Sequence, residues 1–344
     1  MSKCSTWPFP QVLTKVKWPD PERNLFSSPD WLSVLVKTYN LKLFVKFIER
    51  EGKVSSYIVY SVVHNFLEDK ICMCSYCDYC DGPIERKEDW DVFFEALCRE
   101  YPRYRIAVRN LRDSLARENA HFKVLSKERY HLLDIRDDLK VLWKKAHDSF
   151  RSAVTQAQKT NLTIKVGDKA DLKRFYDLHL RLRKNKYRLF AQPYKFFDNI
   201  WETYLSSGKG FLLGAFEPGG TMLAATVYLI CGDTLYYKFN TSNPSTLKLR
   251  PNNLVFWEGV KMAKERGLKS IDLGSSGQEQ EGLIRFKEHT GARGDDITHL
   301  GFNPPDYKFS QKVILKNFTR FCTAPWVPDF VTRLGSHIIY PYLA

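Results

Sequence analysis

Apolar and polar positions repeat with two periods along this chain, and the switches between them mark its elements. Trp31 to Tyr39, opened by Pro29-Asp30, has helical spacing. Leu41–Glu49 and Val54–Val63 are rich in β-branched and aromatic residues, flank the turn Glu51-Gly52-Lys53, and predict two strands. Lys70–Cys74 predicts another short strand. Asp89–Arg99 carries Trp90, Phe93, Phe94 and Leu97 three or four apart, which predicts an amphipathic helix. Tyr104–Val108 and Leu132–Ile135 predict strands. Asp137–Thr160, without Gly or Pro, predicts one long helix with Leu139, Leu142, Trp143, Ala146 and Phe150 on one face. Its acids come first and its bases later, as the helix dipole prefers.

The pattern then restarts. Thr163–Val166 predicts a strand, Asp168–Phe190 a helix with Leu172, Phe175, Tyr176, His179 and Leu182 in a stripe, and Phe196–Leu205 a further helix. Phe211–Phe216 and Met222–Ile230 predict a hairpin across Glu217-Pro218-Gly219-Gly220. Thr234–Asn240 predicts a strand. Pro251–Arg266 predicts a helix with Pro at its start and Gly267 just past its end. Ser270–Leu273 predicts a strand, Gly274–Gly277 a tight loop and Gly282–His289 a short helix. Each half thus reads helix, three strands, helix, strand. That is an α+β layer pattern used twice, although no repeat is visible in the sequence itself.

Composition narrows the class. At 344 residues, 44% hydrophobic and 14% aromatic, the chain can bury a large core and fits two domains or one large one. No apolar run reaches the ~18 residues that span a bilayer, and Met1–Asp20 has no continuous apolar stretch of the secretory kind. Eight cysteines, several of them clustered, do not form the framework of a secreted disulfide protein. A reducing, cytoplasmic setting is expected. The net charge is +14, and Lys140–Lys195 holds fifteen Lys/Arg against four Asp, a net of +11. Such a field attracts polyanions, nucleotide-activated substrates or an anionic membrane face, and it also suits a plain solvated helix surface.

Three constellations bear on chemistry. Cys72, Cys74, Cys77 and Cys80 have spacing like that of zinc or iron–sulfur ligands. A strand through Lys70–Cys74 sends neighbouring side chains to opposite faces, so small buried thiols and no metal are expected. The second constellation is the polar loop Thr241–Arg250 before the helix at Pro251. Amides near Asn252, Asn253 and Leu254, with Lys248 and Arg250 upstream, suit a phosphate or pyrophosphate. Neither G-x-x-x-x-G-K-[ST] nor G-x-G-x-x-G occurs, against P-loop and ordinary dinucleotide folds. The third is Ile271-Asp272-Leu273-Gly274-Ser275-Ser276-Gly277 followed by Gly282-Leu283-Ile284-Arg285-Phe286-Lys287-Glu288-His289. A Gly–Ser loop offers amides, and a Lys among apolar neighbours can steady an oxyanion. Ser275 and Ser276 lack a His-Asp pattern, against a serine-hydrolase triad. His179 reads as a core histidine, and His289 lies near enough to Lys287 to line a site.

These segments together resemble the FemAB-like, or BioF2-like, branch of the GNAT acyltransferases. The residues that carry the likeness are Tyr236-Tyr237 with Lys238 to Asn240, Pro251-Asn252-Asn253-Leu254, Gly267 with Asp272-Leu273-Gly274, Phe286-Lys287 with Gly291-Ala292, and the earlier Cys77-Asp78-Tyr79-Cys80-Asp81-Gly82-Pro83-Ile84. It spans about residues 30–303. The resemblance implies two tandem GNAT-like domains, each a mixed, mostly antiparallel sheet flanked by helices. The expected organisation is a surface-wrapping segment 1–27, a first domain 28–160 ending in a long basic helix, a second domain 161–303 with the active site, and an extension 304–344.

The resemblance also implies transfer of an acyl or aminoacyl group to an amine on a cell-envelope or polysaccharide precursor. Acyl-CoA is the expected co-substrate, with no tightly bound cofactor, and aminoacyl-tRNA is the less favoured donor because no coiled-coil arm is visible. Lys287 and Phe286 inherit the reaction centre, with Asp272 and Tyr237 beside them. Lys248, Arg250, Asn252, Asn253 and Leu254 would hold CoA. Ser275, Ser276, Asn240, Arg285 and Asp78 would hold the acceptor, an anionic small molecule or a lipid-linked amine, with peripheral membrane contact open. The competing reading is a non-catalytic module of the same fold that binds nucleotide or RNA through 140–195, stacking bases on Tyr187 and Phe190.

Overall fold

The computed structural model describes residues 3–64, 69–73, 75–80, 82–111, 115–303 and 309–340. Contacts divide the chain into two compact units: 1–128 with 295–314 and 341–344, and 129–294 with 315–340.

The first unit begins with β1 (Lys3–Pro8) and α1 (Pro29–Tyr39), whose N-cap Ser28 accepts from the Trp31 amide. β2 (Leu43–Arg50), β3 (Lys53–His64) and β4 (Asp69–Met73) form a meander. Helix α2 (Lys87–Glu100) crosses to β5 (Arg105–Asn110), which lies parallel to β4. A short helix α3 (Leu115–Glu118) follows. Trp90, Phe93 and Leu97 of α2 pack on Ile58, Ile71 and Ile106, so the three-four spacing buries one face of α2 on the sheet.

The second unit is built from β6 (Lys123–Asp134), α4 (Leu139–Lys145), α5 (Asp148–Gln158), β7 (Thr163–Val166), α6 (Lys169–Leu182) and α7 (Tyr194–Ile200). After these come β8 (Gly210–Phe216), β9 (Met222–Cys231), β10 (Thr234–Ser242), α8 (Pro251–Glu265), β11 (Ser270–Gly277) and α9 (Glu281–His289). The sheet order is β6-β11-β10-β9-β8-β7. β7 to β10 are successively antiparallel and β11 is parallel to β10. The order β1-α1-β2-β3-β4-α2-β5 therefore recurs as β7-α6-α7-β8-β9-β10-α8-β11, which confirms two GNAT-like domains. The return strand β12 (Arg293–Phe302) pairs antiparallel with β5 and completes the first unit. Helices α10 (Phe309–Cys322) and α11 (Asp329–Ile339) close the chain.

Several expected elements change. The helix expected over 137–160 is two helices. Backbone at Ala146 and His147 is extended; the Arg151 guanidinium donates to the Ala146 and Lys144 carbonyls (2.7 and 3.0 Å), and His147 Nδ1 accepts from the Ser149 amide. The end of α4 and the start of α5 are thus capped by side chains rather than by a continuing helix. Phe150, Val154 and Ala157 of α5 join the core with α8, so 129–160 pack in the second unit and not, as expected, in the first. The first 27 residues do not simply wrap the surface, since β1 is a sheet strand. The helix 168–190 ends at Leu182 in a π-helical turn, Arg183–Tyr187, and α7 likewise passes into a π turn at Trp201–Leu205. Gly274–Gly277 is not a loop: β11 continues through it.

Candidate active site

The second unit's sheet opens at one place. β10 and β11 pair in parallel over Thr234–Tyr236 and Ser270–Asp272, while β10 runs on to Ser242 beside β9 alone and β11 runs on to Gly277. A bulge between Tyr237 and Phe239 turns β10 as it leaves β11. The two strands diverge from Tyr236–Asp272 onward, while the later half of β10 keeps its pairing with β9. Consecutive aromatic residues Tyr236 and Tyr237 in an alternating strand were the sequence sign of this bulge, and the sequence reading did not take it up.

On β10, Tyr237 packs its ring edge-on against Phe256 of α8 and Tyr228 of β9. Burial pushes its phenol pKa up, so it stays protonated. Asn240 Nδ2 donates to Thr226 Oγ1 (2.9 Å) and to Asn252 Oδ1 (3.4 Å), and Asn252 Nδ2 donates to Ser242 Oγ (3.1 Å). Asn240 and Asn252 thereby tie the end of β10 to the start of α8. The intervening loop is an ordered 3-10 turn, Pro244–Leu249, capped by Asn243. Arg250 is the N-cap of α8 in the left-handed region, at φ 57°. The expectation that the amides of Asn253 and Leu254 point outward is corrected: both turn back to the Arg250 carbonyl, at 3.1 and 3.4 Å. Leu254 is a core residue. Lys248 and Arg250 are exposed at this corner.

On β11, Asp272 is buried. Its Oδ1 accepts from the Gly274 amide (2.7 Å) and its Oδ2 from the Tyr130 hydroxyl (2.9 Å). Gly274 has φ 68°, open to glycine and strained for other residues. That backbone turns two successive carbonyls, Gly274 O and Ser275 O, toward the same point, where Lys287 Nζ of α9 donates to both (3.0 and 2.9 Å). Lys287 is fully buried. It holds the β11 irregularity in shape and is not a lysine pointing into an open loop. Phe286 packs between Phe150 and Phe256. Ser276 Oγ is buried with no hydrogen-bond partner among the described residues, and Arg285 is exposed.

His131 of β6 is a residue that sequence reading missed. It is fully buried, neither ring nitrogen has a hydrogen-bond partner among the described residues, and Nε2 stands 3.9 Å from Glu288 Oε1. Burial, then the charge of Lys287, lowers its pKa to about 4. His289 stacks on His147 at 4.1 Å, with Ser149 Oγ 2.8 Å from His289 Nδ1 and 2.9 Å from His147 Nδ1. Burial and the neighbouring His147 lower the pKa of His289. His179 is a core residue, stacked on Phe175 with Nε2 3.0 Å from Gln192 Oε1.

The remaining expected residues lie apart. Asp78 sits in the first unit after β4, where its charge bears on Arg109. In the same loop Arg109 Nη1 donates to Cys77 O (2.8 Å), and Cys80 Sγ meets the Arg109 carbonyl at 3.0 Å. Among the described residues no three His, Cys, Asp or Glu side chains are grouped to hold a metal, and Cys74 and Asp81 lie outside them. Phe190 is buried, so the expected stacking of a base on it has no exposed ring; Tyr187 is exposed.

Residues 144–288, which contain every element of this opening from α5 to Lys287, match the family described as acetyltransferase (GNAT) domain. Solved structures agree in fold. FemX is 15% identical with a TM-score of 0.62, covering 81% of this chain and 93% of its own. L-PGS from Bacillus licheniformis is 11% identical at a TM-score of 0.54, covering 85% and 93%. A tandem GNAT protein from the clavulanic acid biosynthesis pathway is 9% identical at 0.54, covering 89% and 100%. No curated protein matches by sequence. Residues 144–288 thus match a GNAT acetyltransferase domain, and these structures, at 15% identity or less, are alike in fold. Among the described residues no helix is long and apolar enough to cross a membrane.

Proposed function

We propose that this protein is an N-acyltransferase that moves an acyl group from a CoA thioester to an amine on an anionic or lipid-linked envelope or polysaccharide precursor. The observation that carries this is the parting of β10 and β11 after Tyr236–Asp272, inside the segment that matches the GNAT domain. A narrow, extended thioester arm fits between two strands that part after Tyr236–Asp272 and no longer pair with each other. Lys248 and Arg250, exposed beside the start of α8, suit the phosphates. Acyl-CoA, when bound, supplies the activated thioester carbonyl. The amine nitrogen forms the new C–N bond as the C–S bond breaks, and the sulfur leaves as a thiolate that becomes a thiol with the proton the amine gives up, relayed by the acceptor's phosphate or water.

In this reading the protein's contribution is mainly positioning. Tyr237, protonated, offers a hydroxyl donor just past the point of divergence. Lys287 and Asp272 act through β11, fixing where Gly274, Ser275 and Ser276 present their backbone. Asn240 and Asn252 fix the far side. The fifteen cations of Lys140–Lys195 support a second donor, aminoacyl-tRNA. A thiol-release assay separates the two. With acetyl-CoA and a panel of amino sugars and lipid-linked amines, free thiol appears in step with acylated amine. Transfer from charged tRNA with no thiol release under any acyl-CoA would replace this donor.

A further inference from the structure

Helix α11 is amphipathic in reverse. The side chains it turns into its unit are Thr332 and Ser336, both fully buried, and those it turns to water are Phe330, Leu334 and Ile338, four apart on one face. Thr332 Oγ1 donates to Cys322 O (3.0 Å) and Ser336 Oγ to Thr332 O (2.8 Å), so the small polar face is satisfied inside. A Cβ on Gly335 would fall 2.6 Å from the Phe190 ring, so the helix is seated closely through its small residues. The outward apolar face is therefore fixed by the fold.

The face continues beyond the helix. Phe318 and Phe321 at the end of α10 are exposed, and Trp326, between the helices, packs its ring edge-on against Phe321 at 5.5 Å. Phe321, Trp326 and Phe330 are 62%, 72% and 70% exposed. Arg188 Nη2 donates to Arg320 O (2.8 Å), which brings exposed Tyr187 and Leu189 alongside. A cluster of this size marks an interaction surface on a folded protein.

Its surroundings are mainly basic. Residues 181–195 hold six Lys/Arg and no Asp or Glu. Asp329, the acid at the start of α11, is paired with Lys184 at 2.7 Å. On the flank of α11, Lys173, Lys195, Arg333 and His337 line a cavity of about 340 Å³ with Tyr176, Tyr194 and one acid, Asp177, which is paired with Arg333 at 2.7 Å. A second copy would bring the same basic rim against this one, so like charges oppose self-association. A bilayer with anionic headgroups offers both apolar depth and the opposite charge. At ~1.5 Å per residue the eleven residues of α11 reach about 16 Å, half a bilayer core, so the helix lies in the interface and does not cross it.

We propose that Phe318, Phe321, Trp326, Phe330, Leu334 and Ile338 form a docking surface for membranes containing anionic phospholipid, with the neighbouring Lys and Arg side chains on the lipid phosphates. This stands on the surface alone and not on the acyl-transfer reading. The test is co-sedimentation of the full chain with vesicles of phosphatidylcholine alone or with about 30% phosphatidylglycerol. The protein pellets with the mixed vesicles, less with neutral ones, and less as salt rises. A Phe330→Ser, Leu334→Ser, Ile338→Ser triple variant, altered only at exposed positions, keeps its melting temperature and binds at least tenfold more weakly. Brominated lipid quenches wild type more than Trp326→Phe. Wild type that stays in the supernatant with both vesicles overturns the proposal. So does a triple variant that binds like wild type, or a wild-type dimer that the triple variant converts to monomer.

Discussion

Lys287 Nζ lies 2.9 Å from the carbonyl oxygen of Ser275, and its second donation, to Gly274 at 3.0 Å, falls on the same irregularity of β11. An ammonium buried on two carbonyls stabilises the one backbone shape that puts them together. Lys287→Met keeps the length, removes the donors and leaves both acceptors unmet, at a cost of about 1–3 kcal/mol. Turnover falls further than this, about ten- to a thousandfold, because Gly274–Ser276 move. Denaturant melts and thiol-release kinetics on the same preparation check both. A variant as stable and as active as wild type removes Lys287 from the account.

Two buried histidines give stability a defined pH dependence. His131 and His179 have their pKa values lowered to about 4 from 6.5, chiefly by burial. Their neutral forms are favoured in the folded state, so their contribution is complete above pH 6.5 and is lost as pH falls toward 4. The melting temperature declines across that window. His131→Leu flattens the decline, and the double variant with His179→Phe flattens it more. Melting curves from neutral to acid conditions that are parallel in wild type and variants contradict this.

The first unit hangs on an ion pair at the other end of the charge range. Asp89 of α2 is buried, with Arg50 Nη1 2.9 Å and Ser56 Oγ 2.5 Å from Oδ2. The Arg50 hydrogen bond holds the Asp89 carboxyl below the ordinary carboxylate range. The pair therefore stabilises at and above that range and is lost as pH drops through the lowered value. Asp89→Ala removes the acceptor of Arg50 and Ser56 and lowers stability, although Arg50 keeps Ser55 at 2.6 Å and Glu85 at 3.4 Å. Urea denaturation checks it, and a loss below half a kcal/mol would show the pair to be incidental.

The cysteine cluster is expected to be metal-free, since Cys77 and Cys80 are engaged around Arg109 in their loop. Elemental analysis of purified protein finds less than stoichiometric zinc or iron. Metal at one equivalent, released together with the fold by chelator, reverses the expectation.

How much of this was legible in the sequence varied with the kind of signal. Strand-hairpin-strand over 211–230 and the helix from Pro251 stood out, because turn chemistry and Pro/Gly punctuation are local. The break of the 137–160 helix at Ala146–His147 was hidden, since no Gly or Pro marks it and the cause is a side chain, Arg151, reaching back to carbonyls. Gly274–Gly277 looked like a loop because Gly and Ser are turn residues. The brace that makes it strand, Lys287, comes from thirteen positions downstream of Gly274. Lys287 and Asp272 were marked beforehand as catalytic and Asn240 and Asn252 as binding residues; the structure engages each with backbone or side chain first. His131 gave no signal at all, lying in a strand whose burial only the tertiary fold decides.

The central claim is that the opening after Tyr236–Asp272 takes the thioester arm of an acyl-CoA, with its phosphates at Lys248 and Arg250. Titration calorimetry of the full chain with CoA and acetyl-CoA tests it most directly. Binding between about one micromolar and a millimolar is predicted, weakened at least tenfold by Arg250→Glu, a change at an exposed residue. Saturating CoA that gives no heat and no thermal shift, while charged tRNA binds and donates its amino acid, would contradict the account.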